Sequence, residues 1–376
     1  MDRPFEGVKL GLAPSSAPEK EQSISRSKVF VGMSGGVDSS VSALLLKEQG
    51  YKVIGVYMKN WSKDLPGMKC PWAEDLADAK RIAVKLGIDF EVWDFEEAYR
   101  EKVVEYMLDE FRKGNTPNPD VMCNQEIKFK LFYEKAMERG ADFIATGHYA
   151  RIIDEKLARA VDENKDQTYF LYRISDEALA HTIFPIGEML KPEVKKLAKE
   201  KGLHNAYKKE SMGVCFVGEV GMKDFLKEYI NIAPGEIREV ETEKVLGYHE
   251  GAVFYTIGQR HGLYLNGVAG EINDGLPYYV VAKDLEKNVV YVSKNLNDEH
   301  IWTDELEIKD IIIRQKIPET VLVRLRHRAP LIPAKLILKN DCVATIKFEN
   351  EVKRPAAGQS AVIYDGEICL GGGIIK

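Results

Sequence analysis

The chain of 376 residues is 45% hydrophobic and 30% charged, with a formal net charge of −6, a pI near 5.8 and a mean hydropathy of −0.27. This is an ordinary soluble composition with enough apolar material for two or three domains. No apolar run approaches the ~18–20 residues of a membrane span, and the acidic balance gives no general attraction to nucleic acid, so any such contact needs local basic patches.

The N-terminus lacks a basic segment followed by an apolar core, and Asp2, Glu6, Glu19 and Glu21 fit a mitochondrial presequence poorly. Residues 1–27 read as a loose extension rich in Ser and Pro. Ordered structure is expected from a β-rich run at Lys28–Gly32, then a glycine-serine turn and an amphipathic helix from Val37 to Gln49 that Gly50 stops. A strand (Lys52–Met58), a helix (Ala73–Leu86, stopped by Gly87), a strand (Phe90–Phe95) and a longer helix (Glu96–Lys113) follow. Asn115–Asp120 carries two prolines in six residues and reads as a loop. After it come a helix near Glu126–Arg139 and a strand at Asp142–Thr146. Strands alternating with helices of this length predict an α/β fold with a doubly wound parallel sheet.

From about Pro234 the texture changes to short alternating strands at Val253–Ile257, Tyr278–Ala282 and Val289–Ser293. Beyond Ile301 almost everything reads as strand: Leu322–Arg326, Lys335–Leu338, Val343–Phe348, Ser360–Tyr364 and Glu367–Gly371, with a hairpin signal at Tyr364-Asp365-Gly366-Glu367. The expected organisation is an extension (1–27), an α/β domain (28–232), a small β-rich central domain (233–294) and a C-terminal β-barrel (295–376).

The turn Met33-Ser34-Gly35-Gly36-Val37-Asp38-Ser39-Ser40 joins the first strand to the first helix. Its glycines let a ligand approach the backbone, and the helix start presents N–H groups that favour an anion, with Ser34, Ser39 and Ser40 as hydroxyl donors. A Walker A loop would continue with Lys-Ser/Thr, and a dinucleotide fingerprint needs GxGxxG with an acid ending the second strand; neither occurs here. Asp38 would repel phosphate unless Mg²⁺ lay between them, which assigns it to a metal–pyrophosphate.

Five cysteines (Cys70, Cys123, Cys215, Cys342, Cys369) form no CxxC pair, which speaks against a disulfide scaffold or zinc site and for a reducing compartment. Cys342 and Cys369 sit in strand-like runs and read as small buried hydrophobes, and Cys70 reads as structural. Cys123 precedes a helix, where a thiol becomes more acidic, and Asp120 stands three residues before it. Cys215 lies in a second glycine-flanked turn, Ser211–Gly218.

The turn SGGVDSS resembles the PP-loop of ATP pyrophosphatases. With KGNTPNPDVMCN, IKFK, ATGHYAR, NKDQTYFLY, SMGVCFVG, TIGQRHGL and GQSAVIYDGEICLGGG in this order, the chain resembles the tRNA-specific 2-thiouridylases from Lys28 to its end. That resemblance implies a PP-loop domain of the adenine nucleotide alpha hydrolase type. Gly32, Met33, Ser34, Gly35, Gly36, Val37, Asp38 and Ser39, with Met58 and Gly147, would then surround ATP with its Mg²⁺. It implies Cys123 as nucleophile and Cys215 as persulfide carrier, with Asn118, Pro119 and Asp120 meeting the target base. His148, Lys165, Asp166, Gln167, Arg326, His327 and Gln359 match positions that touch tRNA, and the basic clusters Lys191–Lys201 and Arg324–Arg328 suit phosphates.

The implied reaction is ATP-dependent adenylation of the C2 oxygen of wobble uridine 34, then sulfur transfer from a cysteine persulfide to give 2-thiouridine, AMP and pyrophosphate. The implied partners are tRNA (Lys, Glu and Gln isoacceptors) and a persulfide sulfur donor, for a monomer working in the cytoplasm. Met212 stands where many bacterial members carry Thr, which leaves the compartment open. The rival readings are another PP-loop enzyme (4-thiouridine synthase, lysidine synthase or small-molecule ligase), a tRNA-binding protein without catalysis, and a nucleotide-binding regulatory domain.

Overall fold

The computed structural model describes residues 27–64, 70–209, 221–263, 265, 276–295 and 301–376. The N-terminal extension, and Cys215 with its SMGVCFVG turn, lie outside the described residues. The chain divides into two compact units, and both are discontinuous in sequence. The first takes residues up to 104, 119–219 and 364–371; the second takes 105–118, 220–363 and 372–376.

The first unit is built on a five-stranded sheet, parallel throughout as the strand–helix alternation predicts. Its strands are β1 (Lys28–Gly32), β2 (Lys52–Lys59), β3 (Asp89–Asp94) and β4 (Phe143–Ala145). A hairpin of β5 (Arg151–Ile153) and β6 (Lys156–Ala158) precedes β7 (Thr182–Ile183), which completes the order β3-β2-β1-β4-β7. Val29, Phe30 and Val31 are fully buried, as strands covered on both faces require. Each such side chain contributes about 1.5–3 kcal/mol.

Helix α1 (Val37–Glu48) buries Val37, Val41 and Leu44, and Gly50 follows it with φ +91°. Helix α2 (Trp72–Leu86) buries Ala79, Ile82, Ala83 and Leu86 and ends on left-handed Gly87. A third helical stretch, α3, runs through Glu96–Tyr99, a π-helical Arg100–Glu105 and Tyr106–Arg112.

The helix expected near Glu126 starts seven residues earlier. Pro119–Met122 is α-helical, Cys123–Leu131 is π-helical and Phe132–Glu138 is α-helical again, and these three pieces form α4. Pro119 is its first residue, a position that proline favours because its missing N–H has no intrahelical partner there. Helix α5 (Lys191–Glu200) follows later in the chain.

The second unit is antiparallel for the most part. Helix α6 (Met222–Tyr229) leads into β8 (Gly235–Glu239), β9 (Val245–His249), β10 (Tyr279–Asp284) and β11 (Val289–Ser293), in the order β10-β11-β8-β9. Their core is Ile237, Leu246, Tyr255, Val280, Val290 and Val292. The strand expected at Val253–Ile257 is absent: Ala252–Phe254 is a single 3₁₀ turn. Strands β12 (Trp302–Ile313), β13 (Val321–Arg324), β14 (Ile332–Asn340), β15 (Val343–Lys353), β16 (Ser360–Asp365) and β17 (Ile368–Ile375) run in the order β12-β15-β14-β13-β16-β17. Pairing of β12 with β17 closes them into a six-stranded barrel. The hairpin signal holds: β16 and β17 are joined at Gly366, which has φ +55°.

Candidate functional site

In the first unit, β2 and β3 lie on one side of β1, and β4 and β7 on the other. The order therefore reverses between β1 and β4, and open parallel sheets hold ligands at the carboxyl ends of strands flanking such a point. Two turns meet there: Met33–Gly36 after β1 and Thr146–His148 after β4. A Cβ at Gly147 would come within 2.6 Å of the Ser39 backbone nitrogen, so only glycine lets this second turn rest on the first turn of α1. Met58 closes in from β2, its methyl 2.8 Å from where a Cβ on Gly32 would be. The residues expected around a nucleotide are thus neighbours.

The phosphate loop holds its own shape. Gly35 has φ +75°, and a Cβ there would lie 2.4 Å from the Asp75 carbonyl oxygen. The Ser39 hydroxyl accepts from the Ser34 N–H at 3.2 Å and donates to the Gly36 carbonyl at 3.2 Å. Ser40, expected as a donor to ligand, is fully buried. It donates to Gly36 O at 2.8 Å and receives the Asn205 side-chain amide at 2.9 Å. Asn205 also donates to Gly35 O at 2.9 Å, a support the sequence does not advertise.

Asp38 has a different partner from the one expected. The Lys191 ammonium donates to both carboxylate oxygens at 2.7 and 2.8 Å, and the Tyr149 hydroxyl donates to Oδ1 at 3.1 Å. Lys191 is 6% exposed and its backbone N–H donates to Asp162 at 2.9 Å. The carboxylate that would repel a phosphate is therefore neutralised by a lysine. A side-chain-free glycine cradle, a helix N-terminus, exposed Ser34 and a compensated Asp38 together fit a nucleotide's phosphates. Among the described residues there is no group of three or more His, Cys, Asp or Glu placed to hold a metal.

The thiol centre lies on α4. Cys123 is 4% exposed and sits one turn inside the helix rather than before it, while Asp120 occupies the first turn, where the helix dipole favours its carboxylate. Burial pushes the Asp120 carboxyl up, and the Lys128 ammonium pulls it back down. Lys128 Nζ also stands 3.4 Å from His148 Nε2, and His148 Nδ1 is 2.8 Å from the Thr146 hydroxyl. Because an ammonium only donates, Nε2 accepts and Nδ1 carries the proton. Burial first, and Lys128 second, hold His148 well below the usual imidazole range, so it is neutral. Sequence reading passed over Lys128, which on a helix face looks like any solvated lysine.

The residues expected to touch tRNA divide by burial. His148 is 8% exposed and lies against the rings of Phe129 (5.8 Å) and Phe184 (6.4 Å), so it is no phosphate-binding cation. Asp166 is 1% exposed; its carboxylate accepts from the Thr168 hydroxyl at 2.9 Å and the Ala160 N–H at 3.3 Å, which makes it framework. The Gln167 side chain accepts from the Tyr149 N–H at 2.9 Å and steadies the turn carrying Gly147 and His148. Lys165 is half-buried. In the second unit, Gln359 donates to the Thr116 carbonyl at 2.6 Å, fixing the stretch that leads to Asn118. Arg326 and Arg328 are exposed, His327 is half-buried and Arg324 is 5% exposed. Within the Lys191–Lys201 cluster, Lys191 is buried on Asp38 and Lys201 pairs with Glu48 at 2.6 Å, while Lys196 and Lys199 are exposed.

Three family models match the chain in succession. They are a tRNA methyl transferase HUP domain over residues 27–219, a tRNA methyl transferase PRC-barrel domain over 223–294, and an aminomethyltransferase beta-barrel domain over 301–375. The "tRNA-specific 2-thiouridylase MnmA" of Listeria monocytogenes serotype 4a (strain HCC23) is 48% identical over 356 residues, 93% of this chain and 94% of its own. The protein of the same description from Lysinibacillus sphaericus (strain C3-41) is 45% identical over 360 residues, again 93% and 94% of the two chains. The one from Idiomarina loihiensis is 46% identical over 358 residues, 93% and 96%. A solved 4-thiouridine synthetase–RNA complex with bound ATP overlaps 49% of this chain and 43% of its own at a TM-score of 0.33 and 19% identity, too loose a likeness to argue from.

Proposed function

The chain belongs to the tRNA-specific 2-thiouridylase family, and from that premise we propose how its own residues carry out 2-thiolation of a tRNA uridine with ATP. The observation that carries the reading is a shared wall. The turn Thr146–His148 rests through Gly147 on the first turn of α1 and bonds through His148 to Lys128 on the helix of Cys123. A phosphate-binding end and a thiol end thus belong to one connected site.

A uridine carbonyl oxygen is a poor leaving group, and ATP supplies the adenylyl group that turns it into AMP. The glycine loop and the α1 N-terminus hold the departing pyrophosphate, with Mg²⁺ brought on the nucleotide and Asp38 already balanced by Lys191. The terminal sulfur of a Cys215 persulfide attacks C2 as the C2–O bond to AMP breaks, giving a C2–S–S–Cys215 adduct. The Cys123 thiolate then attacks the Cys215 sulfur, which releases 2-thiouridine and leaves a Cys123–Cys215 disulfide for an external thiol to reduce. Asp120, one helical turn from Cys123, accepts the proton lost by the attacking sulfur or the thiol.

The base must be turned out of its stack to reach this site. The exposed Arg326 and Arg328, and the half-buried Lys165, are the proposed tRNA phosphate contacts. No helix among the described residues is long and apolar enough to cross a membrane; a monomer acting in the cytoplasm on Lys, Glu and Gln tRNAs, with a persulfide donor protein, completes the proposal.

The test is incubation with ATP, Mg²⁺, unmodified tRNA and a persulfide donor, with nucleosides read by mass spectrometry. The wild type is expected to form 2-thiouridine, and Cys123→Ser and Cys215→Ser to lose it by at least about a thousandfold. Appearance of 4-thiouridine or lysidine instead, or undiminished turnover by Cys123→Ser, would sink the assignment.

A further inference from the structure

We propose that Lys128 is a positioning residue of the sulfur-transfer step: anchored on His148, its ammonium is the fixed positive charge of the helix that carries Asp120 and Cys123. The inference rests on the thiolation reading and adds a residue to it. Three features of the first unit carry it.

The first is backbone geometry. In an α-helix the residue five positions on points about 140° away, but α4 is π-helical over Cys123–Leu131. A π turn closes from i to i+5, so residue 128 comes round close to the side of residue 123. Such widened turns recur at functional sites, and this one is nine residues long.

The second is the anchor. His148 cannot swing, because Phe129 and Phe184 flank its ring and the Thr146 hydroxyl accepts a hydrogen bond from its Nδ1–H. Its Nε2 lone pair therefore presents a fixed acceptor to Lys128 Nζ at 3.4 Å. The turn bearing His148 is itself seated on α1, so the position of the ammonium is referred to the phosphate loop.

The third is charge. Lys128 acts electrostatically on both Asp120 and His148, and it is the opposing influence to burial at Asp120. A lysine placed merely to solvate a helix face would have no reason to bring its charge up to a buried imidazole. With the ammonium removed, Asp120 would protonate more readily.

The experiment uses full-length enzyme with Lys128→Gln, whose amide still donates to His148 without charge, and Lys128→Arg, which keeps the charge. Single-turnover thiolation and pyrophosphate release are followed from pH 5.5 to 8.5 at saturating tRNA. Lys128→Gln is expected to thiolate about 100-fold more slowly, with its acidic limb displaced to higher pH and its tRNA affinity within about threefold of wild type; Lys128→Arg should recover at least about tenfold. Thiolation by Lys128→Gln near the wild-type rate, or a loss with an unmoved pH profile, overturns the proposal.

A substrate-free arm separates this from failure of the thiolation reading. The ¹³C carboxyl signal of Asp120, assigned with Asp120→Asn, should titrate at higher pH in Lys128→Gln than in wild type. An unchanged midpoint overturns the role of Lys128 even if the wild type thiolates. A shifted midpoint in an enzyme that makes no 2-thiouridine keeps the Lys128–Asp120 coupling and removes the reaction assigned to it.

Discussion

The two units handle charge in opposite ways. In the first, ionisable groups are drawn inward and matched: Asp38 with Lys191 and Tyr149, and Asp166 with the Thr168 hydroxyl. In the second, most charge stays at the surface, as in Glu250 between Lys223 and Lys227, and Glu307 between Lys339 and Lys376, both carboxylates held down to about 2 by their lysines. Buried pairs cost desolvation and repay it poorly, so a unit that accumulates them is organised for chemistry. A unit with solvated charge is suited to recognition.

The sharpest way to break the first pattern is through its backbone. Gly35→Ala combines a left-handed φ of +75° with a Cβ 2.4 Å from the Asp75 carbonyl. Strain and overpacking together should cost about 3–4 kcal/mol. Denaturant unfolding should show it as a lowered midpoint, accompanied by loss of tRNA-dependent pyrophosphate release. A variant with wild-type midpoint and turnover would mean that the loop is not constrained as described.

This loop was legible in the sequence because its geometry is local: Ser34, Gly36 and Ser39 satisfy one another within five residues. What surrounds it was not. Asn205 and Lys191 reach Gly35 and Asp38 from more than 150 positions along the chain, and nothing near them in sequence marks the meeting. Pro119 reads as a loop signal because prolines break helices, although at a first position they begin them, and the helix that begins there holds Asp120 and Cys123. The twelve-residue strand β12 does not read as one because the adjacent polar pairs Asp304-Glu305 and Lys309-Asp310 break its alternation, with a register shift between Thr303 and Glu305. Ala252–Phe254 failed in the other direction, an apolar run that turns instead of extending.

A smaller perturbation tests whether the Asp38–Lys191 match is a genuine charge pair. Lys191→Met leaves a carboxylate facing Tyr149 alone, and the side chain of Asp38 is 30% exposed, which softens the penalty through solvent. A loss of about 2–3 kcal/mol is expected. Asp38→Asn should recover part of it in the double variant, with a coupling of at least about 1 kcal/mol in the cycle. Additive losses would show that Lys191 acts by packing its stem rather than by its charge.

The smallest effect comes from an exception within the second unit. Lys283 donates to the Tyr255 carbonyl at 2.9 Å, and burial pulls its pKa down from 10.5 to about 8. Below pH 8 the folded and unfolded chains both carry the proton, so stability has no slope from this group, but the folded state bears the cost of a buried charge. Between pH 8 and 10.5 the unfolded chain keeps a proton that the folded chain has lost. Stability must then rise with pH, by up to 1.4 kcal/mol per unit at about full effect, until the unfolded lysine also deprotonates. Lys283→Met removes both the cost and the slope. It forfeits the bond to Tyr255, which offsets about 1 kcal/mol of the gain. The variant should therefore be more stable than wild type by about 1–2 kcal/mol at pH 7, and that difference should shrink and reverse towards pH 10.5. Denaturant midpoints of the two proteins measured side by side cancel the titration of tyrosines common to both. A difference that stays constant from pH 7 to 10.5 would mean that Lys283 is as well solvated as the surface lysines around Glu250 and Glu307.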